Sequence, residues 1–529
     1  MSSLKPPIRA KSDLLKGSAG MAKSTLFQKI RWMPAYPLFL IAYPVLALVG
    51  ININEVEPTV LWRPLVVLLF IASLLLILLQ FVSRDWHRAA LALAILIFLF
   101  FTYGHVYFYL KKIEVAGFIL GRHRQMVPLW GGAGVLAVWW VMRKLRNPRS
   151  FTPVLNLVSI FLLIYPSFQV ISYTIKREKT ERAALESAQT KGASLPLGYA
   201  PDIYYIILDA YGREDVLMEM FNYDNTPFLR SLESRGFYVA KCSQSNYGQT
   251  MLSLTSSLNL DYLDSLTSSL TPNSDTRAPL RALGQYNNAR KFLASQGYNI
   301  VSFATNFPVS EWKGANYYLR PPPQGMSDFE IMLAQTSAWR VPMDMIDEPP
   351  EKKSAEWYRR RTLFALDQME KTVPDIPSPK FIFTHLVIPH HPFVFGPNGE
   401  ELNSIYSGVP DFEEYKVKYP DQVTYINKRI TAIIDLILQS SKNPPIIVIQ
   451  GDHGPAPFDV IERRMKILNV YYFPGDNDDL YPTITPVNTF RSIFNKYFDQ
   501  NYPLLEDKAL YSAYDIPYNY VEVPNDCKR

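Results

Sequence analysis

The chain has only two cysteines in its 529 residues, Cys242 and Cys527. Two cysteines cannot build a disulfide scaffold; they form at most one bridge, which an extracytoplasmic location permits but their spacing does not indicate. The net charge is a modest +6, and the basic residues do not form a stripe suited to nucleic acid. Internal repeats and low-complexity segments are also lacking. We therefore expect no nucleic acid among the partners of this protein.

Apolar residues are concentrated in the first third of the chain, although the mean hydropathy is close to zero. A helix needs about 20 apolar residues to span a bilayer. Five stretches approach this length, and the fourth is short: Met33–Ile51, Pro64–Val82, Ala89–Leu110, Val127–Met142 and Val154–Ile175. We predict a transmembrane region of about five helices over residues 33–175.

The distribution of basic residues predicts the orientation of these helices. Residues 1–32 carry seven Lys or Arg and one acid without an apolar core, which favours a basic cytoplasmic tail over a cleavable signal peptide. Basic residues also follow the second and fourth stretches, and the positive-inside rule places them in the cytoplasm. Five spans then deliver the remainder of the chain to the outer face of the plasma membrane. One basic loop disagrees, either as a tolerated exception or as a site for an anionic lipid headgroup: it holds Lys111, Lys112, Arg122 and Arg124.

The sequence predicts a linker over residues 176–198, and residues 199–529 have the composition of a soluble domain. Helical patterns alternate there with short apolar runs, which predicts an α/β domain with a mainly parallel sheet. The predicted strands are Ile203–Leu208, Phe237–Lys241, Tyr298–Ala304, Phe381–Val387, Pro445–Gln450 and Leu468–Phe473. The predicted helices are Asn287–Ser295, Ala355–Lys371 and Val423–Ser440.

Metal-ligating side chains follow two of these strands. Asp452 and His453 come directly after one strand, within the motif QGDHGPA, and Asp209 follows another within LDAYGR. Ligands of open α/β sheets bind beyond the carboxyl ends of the strands, and oxygen with imidazole suits a divalent metal. Taken singly, the first motif is equally well explained as a turn, and Asp209 as a helix N-cap.

A candidate nucleophile and candidate acid–base groups accompany them. Thr250 stands near the predicted start of a helix, where backbone N–H groups favour an anion, and a metal-bound hydroxyl becomes a nucleophile. His390 and His391 follow a strand and can hold a substrate oxygen or protonate a leaving group. His385 lies inside that strand, and we interpret it as a packed core residue. Four such segments together outweigh the separate structural explanations.

The ordered set LDAYGR, Thr250, PHHPF and DHG resembles the sulfatase-like branch of the alkaline phosphatase superfamily. With the preceding spans, the chain is similar to lipoteichoic acid synthases and membrane phosphoglycerol or phosphoethanolamine transferases. The resemblance implies Thr250 and His390 as catalytic residues. The metal ligands that it implies are Asp209, Thr250, Asp452 and His453. We add His391, Arg213 and Asn246 as candidate substrate-binding residues.

These ligands lead us to expect one divalent metal, Mn²⁺ in first place with Mg²⁺, Ca²⁺ or Zn²⁺ as alternatives. The expected substrate is a phospholipid or an envelope glycan. The run from Thr250 to Leu254 lacks the Cys, Pro and Arg of sulfatases, which disfavours formylglycine chemistry. Two other functions stay open: a hydrolase of the same fold (a phosphodiesterase or an atypical sulfatase), and a non-catalytic lipid- or glycan-binding membrane protein. Trp339 and Arg340 either help to bind a glycerophosphate group or form an ordinary surface pair.

Overall fold

The computed structural model describes residues 32–53, 56, 58–115, 118–119, 121–189, 200–268, 270–305, 307–322, 326–345, 350–402, 411–455 and 461–527. Nearly all of the predicted basic tail and much of the linker lie outside these residues, as does Ala456 of QGDHGPA. The chain divides into two compact units, each with most of its residue contacts inside itself. The first comprises Met1–Ile175 and Met326–Asp347, and the second Lys176–Gly325 and Glu348–Arg529.

The first unit is built from helices that coincide with the five apolar stretches. They are α1 (Tyr36–Ile51), α2 (Trp62–Ser83), α3 (Trp86–Leu110), α4 (His123–Arg143) and α5 (Thr152–Gln189). Four of them are long and apolar enough to cross a membrane, whereas α1, with 16 residues, is shorter. The fourth stretch is longer than the sequence predicted, because its 21-residue helix begins before the apolar run. A hairpin, β1 (Glu114–Val115) with β2 (Phe118–Ile119), connects α3 and α4.

Polar side chains fix the helix ends that the charge pattern assigned to the cytoplasm. Asp85 caps α3, because its carboxylate accepts hydrogen bonds from the backbone N–H groups of His87 and Arg88. The guanidinium of Arg88 donates in turn to the carbonyl of Val141 near the end of α4, at 2.7 Å. These contacts join α3 and α4 at one end of the bundle.

The second unit is organised around a seven-stranded sheet of order β4-β9-β8-β3-β7-β5-β6. Its strands are β3 (Ile203–Leu208), β4 (Tyr238–Val239), β5 (Asn299–Phe303), β6 (Tyr317–Leu319), β7 (Lys380–Leu386), β8 (Ile446–Gly451) and β9 (Asn469–Tyr472). The central strands run parallel, and within this sheet, as far as the structure describes it, only the two pairs that involve β9 are antiparallel. The predicted mainly parallel sheet and its six strands are confirmed, and β6 is an additional edge strand.

Helices and a separate hairpin complete the second unit. The helices are α6 (Glu214–Phe221), α7 (Thr226–Glu233), α8 (Thr250–Asn259), α9 (Leu263–Leu266), α10 (Ala278–Gln285), α11 (Asn288–Ser295), α14 (Pro350–Lys371), α15 (Phe412–Ser440), α16 (Ile461–Met465) and α17 (Pro486–Phe498). The hairpin pairs β10 (Ala509–Tyr511) with β11 (Val521–Val523). Alternate residues of β3 belong to different core clusters, Ile206 to one and Ile207 to the other. The sheet is therefore covered by apolar side chains on both faces.

The register of the central strands sets the position of the site. In β3, Leu208 is paired both with Leu386 of β7 and with Gly451 of β8. The carboxyl ends of three neighbouring strands therefore coincide, and the residues that follow them meet at one edge of the sheet.

The first unit also includes a segment from the middle of the chain, with the helices α12 (Asp328–Gln335) and α13 (Arg340–Met345). Ser327 and Glu330 form a capping box at the start of α12. Phe329 and Leu333 pack in the same cluster as side chains of α1, α2 and α3. The sequence pattern did not predict this placement, because the segment carries no long apolar run.

The two cysteines form a disulfide between Cys242 and Cys527, with Cα atoms 5.5 Å apart. The bridge that the sequence left open is therefore present, and it ties the end of the chain to the loop after β4. A bond of this kind persists in oxidising compartments and is rare in the cytoplasm.

Candidate active site

Two aspartates stand at the adjoining ends of the central strands. Asp209 directly follows β3, and its backbone N–H donates to the carbonyl of Leu386 at 2.9 Å. Asp452 directly follows β8, and its Oδ1 atom accepts hydrogen bonds from the N–H groups of Ala210 at 3.0 Å and His453 at 2.9 Å. Gly451 makes this approach possible, because a Cβ there would lie 2.4 Å from the carbonyl oxygen of Tyr211.

Asp209, Asp452 and His453 form a compact buried group in which one potential ligand atom from each lies within 4.8 Å of the others. The Nε2 atom of His453 is 3.6 Å from Asp209 Oδ1 and 3.6 Å from Asp452 Oδ2. Its Nδ1 atom is 2.8 Å from the carbonyl of Gly454, so we assign the proton to Nδ1. This tautomer leaves the lone pair of Nε2 facing the two carboxylates.

The unsatisfied oxygens of this group fit a divalent cation. Both carboxylate oxygens of Asp209 and Oδ2 of Asp452 are buried, and no hydrogen-bond donor among the described residues satisfies them. Buried carboxylates are costly unless they are paired or bind a metal. Burial also lowers the pKa of His453, which keeps its imidazole neutral and able to ligate. Two carboxylates and a neutral imidazole match the chemistry of Mn²⁺, Mg²⁺ or Zn²⁺.

Neighbouring imidazoles determine the charge of Asp209. Burial alone raises the pKa of its carboxyl, but three surrounding imidazoles lower it below its usual range. They belong to His390, His385 and His453. Asp209 is therefore a carboxylate at neutral pH, as a metal ligand must be.

The hydroxyl of Thr250 reaches this group from the start of α8. Thr250 is the first residue of this ten-residue helix, and its side-chain oxygen lies 3.3 Å from Nε2 of His453. The residue is 9% exposed, so a substrate has narrow access to it. The N-terminal end of a helix favours negative charge on a hydroxyl or a phosphate placed there.

His390 and His391 lie beside the group and are partly exposed. The backbone N–H of His390 donates to the carbonyl of Asp209 at 3.1 Å, and its ring is centred 6.2 Å from that of His453. The ring centres of His390 and His391 are 4.2 Å apart. Burial, with a contribution from His390, lowers the pKa of His391 to about 3. His391 is therefore neutral at physiological pH.

Two further side chains contact the group: His385, which the sequence pattern indicated as a core residue, and Arg464, which it did not indicate. Nε2 of His385 lies 3.3 Å from Oδ2 of Asp209, an ion-pair distance without the angle of a hydrogen bond. Arg464 approaches Nε2 of His453 at 3.4 Å and also donates to the carbonyl of Gly248. His385 is buried in β7 as expected of a core histidine, and its contact with Asp209 adds a role that its position alone did not predict.

Two predicted substrate-binding residues are engaged elsewhere. The amide of Asn246 donates to Thr485 and to the carbonyl of Lys508, and its oxygen accepts from Val487 N–H. The guanidinium of Arg213 pairs with Asp215 and lines a different cavity, near the disulfide. The structure therefore brings together Asp209, Thr250, Asp452 and His453, with His390 and His391 beside them, but it binds Asn246 and Arg213 into the surrounding fold.

No family model matches the chain, and no curated protein matches it. Solved structures do resemble it. The integral membrane lipooligosaccharide phosphoethanolamine transferase A (EptA) from Neisseria meningitidis is 12% identical, with a TM-score of 0.36 over 88% of this chain and 95% of that one. The C-terminal periplasmic domain of EcEptC from Escherichia coli, in complex with Zn, is also 12% identical, with a TM-score of 0.36 over 58% and 86%.

The 2-O GAG sulfatase BT1596 is 14% identical, with a TM-score of 0.39 over 58% of this chain and 72% of that one. The structural neighbours are phosphoethanolamine transferases and sulfatases. They come from the group of proteins that the sequence motifs resemble. Because these TM-scores lie below 0.5, the chemistry of the site is inferred from the residues of this chain.

Proposed function

We propose that this protein is a membrane-anchored, metal-dependent phosphotransferase that acts on the phosphate ester of a lipid headgroup outside the cell. The observation that carries the proposal is the hydroxyl of Thr250, 3.3 Å from the imidazole of His453, beside three carboxylate oxygens that no donor among the described residues satisfies. A ligand set, a nucleophile and acid–base groups in one crevice are the components of phosphoryl transfer.

The residues that would hold the metal are Asp209, Asp452, His453 and Thr250. A divalent cation there would neutralise charge on the phosphate and lower the pKa of the bound hydroxyl. We expect Mn²⁺, because three oxygen ligands and one imidazole form a hard, mixed set. Mg²⁺, Ca²⁺ and Zn²⁺ are the alternatives to be compared with it.

Thr250 attacks phosphorus in the proposed reaction. A bond forms between its side-chain oxygen and phosphorus while the bond from phosphorus to the lipid alcohol breaks. The hydroxyl proton of Thr250 passes to solvent, and the lipid alcohol leaves with the bonding electron pair and takes up a proton from His390. In the second step an acceptor hydroxyl attacks the phosphothreonine and gives its proton to His390, while the threonine oxygen leaves with the phosphorus–oxygen bonding pair and takes up a proton from solvent. The helix N-terminus at Thr250 stabilises the negative charge in both steps.

The histidines beside the group have separate tasks. His390 is partly exposed, and we assign it the proton that the leaving alcohol takes up. His391 is neutral because burial lowers its pKa to about 3, so it serves as a hydrogen-bond partner for a phosphate oxygen. Arg464, 3.4 Å from Nε2 of His453, contributes positive charge near the site.

The lipid character of the substrate is inferred from the first unit. Four of its helices are long and apolar enough to cross a membrane, so the same chain combines a membrane anchor with the site. The disulfide of Cys242 with Cys527 supports a location of the second unit outside the cytoplasm. Phosphoglycerol and phosphoethanolamine groups are the two headgroups that the sequence resemblance favours.

Transfer from a labelled phospholipid tests the proposal. The purified protein is incubated with vesicles of phosphatidylglycerol and phosphatidylethanolamine carrying a fluorescent acyl chain, and release of the fluorescent diacylglycerol is measured. We expect Thr250→Ala to lower the rate by at least about 10³-fold and Thr250→Ser to retain part of it. Thr226, which begins α7, provides the matched control, because Thr226→Ala also removes a hydroxyl at a helix start.

The products separate transfer from hydrolysis. Release of diacylglycerol that rises when a glycan or lipid acceptor is added supports the transferase. Release that is independent of acceptor and yields free headgroup phosphate supports a phosphodiesterase. A Thr250→Ala variant as active as the Thr226→Ala control would contradict both mechanisms.

A further inference from the structure

An apolar cavity of about 590 Å³ lies within the first unit, between α1, α2, α3 and α12. Aliphatic and aromatic side chains form most of its wall, among them Ile71 and Leu75 of α2, Ile97 and Phe101 of α3, and Leu333 and Ala334 of α12. A buried water needs two to four polar partners, which the apolar side chains of this wall do not offer. The volume lies in the range of ligand-binding pockets in proteins.

Two charged side chains lie together in the cavity wall. Among the described residues that line it, Arg63 and Glu330 carry the charges, and their side chains are 2.9 Å apart. The side chain of Arg63 is 58% exposed and that of Glu330 is 11% exposed. Ser327 holds the other carboxylate oxygen of Glu330 through its N–H and its hydroxyl, at 2.8 and 3.1 Å. Glu330 is thus held in place, and it in turn positions the half-exposed guanidinium of Arg63 in the cavity wall.

The surroundings indicate which kind of molecule can enter. Arg63 is the second residue of α2, a 22-residue apolar helix whose outer face exposes Phe70 and Leu78. Trp339 also lines the cavity and is 53% exposed. Tryptophan and arginine at the end of an apolar helix are typical of the level of lipid headgroups. An apolar chamber beside a half-exposed guanidinium at that level is complementary to an acyl chain whose glycerol carries a phosphate, and this phosphate would share the guanidinium with Glu330.

We propose that this cavity binds one acyl chain of a glycerophospholipid and that Arg63 holds the phosphate of the same lipid. Basic pockets between transmembrane helices bind lipid headgroups in this way. Arg340, the neighbour of Trp339, pairs with Asp344 at 3.0 Å, lies over the ring of Tyr107 and is not among the residues that line the cavity. The proposal does not depend on the reaction at Thr250.

A second cavity in the same unit provides an internal control. It lies between α3 and α4 and has a volume of about 730 Å³. Its described lining, which includes Gly134 and Val138, contains no charged side chain. A purely hydrophobic preference for acyl chains would fill both cavities, whereas a phosphate-dependent site exists only at the cavity with Arg63.

Native mass spectrometry of the full chain in detergent measures the binding. The probes are dioleoylphosphatidylglycerol, dioleoylphosphatidylcholine and dioleoylglycerol, which lacks phosphate. We expect both phospholipids to bind about fivefold more tightly than dioleoylglycerol, and Arg63→Gln to remove that difference, because one cation near a lipid phosphate contributes about this factor. Arg146→Gln, which removes another exposed guanidinium of this unit that does not line the cavity, should leave it unchanged.

Filling the cavity tests the acyl-chain part of the site. Ala334→Trp should weaken the binding of all three lipids by about tenfold or more, and Val138→Trp in the second cavity should not. Leu75→Trp fills the same space from the opposite wall and replaces Ala334→Trp if that variant does not fold. Equal binding of dioleoylglycerol and the phospholipids, an unchanged Arg63→Gln variant, or equal effects of filling either cavity would overturn the proposal.

Discussion

The imidazole Nε2 atom of His453 lies 3.3 Å from the hydroxyl oxygen of Thr250, although 203 residues separate them in the chain. The same nitrogen is 3.6 Å from a carboxylate oxygen of Asp209 and of Asp452. A hydroxyl at the start of a helix thereby shares its surroundings with a candidate metal site. This relationship underlies the predictions for metal binding and for catalysis.

The first prediction concerns the metal. Asp452→Asn replaces a charged oxygen that no described donor satisfies with a neutral amide, so the affinity for a divalent cation should fall at least about tenfold. Elemental analysis and titration with Mn²⁺, Mg²⁺, Ca²⁺ and Zn²⁺ measure this effect. Asp435→Asn is the control, because Asp435 is an exposed carboxylate paired with Arg235. Equal metal content in the two variants would remove Asp452 from the site.

The predictable part of this site followed from strand periodicity. Asp209 and Asp452 each come directly after an apolar run, and parallel strands bring such positions together. Arg464 escaped prediction because it lies in the five-residue helix α16, and a linear pattern does not specify where so short a helix packs against the strand ends. Asn246 and Arg213 lie close in sequence to Thr250 and Asp209, but their side chains have partners in the surrounding fold. Sequence order gives the strand ends, whereas side-chain direction depends on packing.

The fold, like the site, was predictable from the sequence only in part. Long runs such as Ile203–Leu208 are apolar and β-branched, and the predicted strand matches the observed one. The edge strand Tyr317–Leu319 has three residues, too few for periodicity to mark it. The segment with α12 packs in the first unit through Phe329 and Leu333. The composition of the segment does not predict this packing.

The second prediction concerns acid stability and His391. Burial lowers the pKa of His391 from 6.5 to about 3, so between these values the unfolded chain binds a proton that the folded chain does not. Stability should therefore fall as the pH decreases from about 6.5 towards 3. His391→Gln should make this fall shallower in the metal-free protein, as measured by the midpoint of thermal unfolding at successive pH values. Identical pH dependence of variant and wild type would contradict the assignment.

The third prediction concerns the disulfide. The bond between Cys242 and Cys527 closes a loop with a sequence separation of 285 residues, which restricts the unfolded chain. Cys527→Ser should destabilise the second unit by about 2–4 kcal/mol, observed as a lower midpoint of thermal unfolding. The double variant with Cys242→Ser should equal the single variant, because one bond is lost in both. A wild-type midpoint insensitive to reducing agent would argue against the bridge in solution.

The fourth prediction concerns membrane topology. The basic residues after α4 predict a cytoplasmic loop there, and an outer location for the second unit. Alkaline phosphatase fused after residue 527 should be active, and the same enzyme fused at residue 145 should be inactive. A cytoplasmic fluorescent reporter should give the opposite pattern. An inactive C-terminal phosphatase fusion beside a fluorescent one would reverse the proposed orientation.

The central claim is that Thr250 becomes covalently phosphorylated by a phospholipid. Mass spectrometry of the purified protein, after incubation with phospholipid vesicles and each candidate metal and rapid acid quenching, tests it directly. We predict a phosphorus-containing headgroup adduct on the peptide that carries Thr250, dependent on metal, and absent from Thr250→Ala but present in Thr226→Ala. Turnover of the lipid by wild-type protein without any adduct on Thr250, or an adduct that persists in Thr250→Ala, would contradict this account.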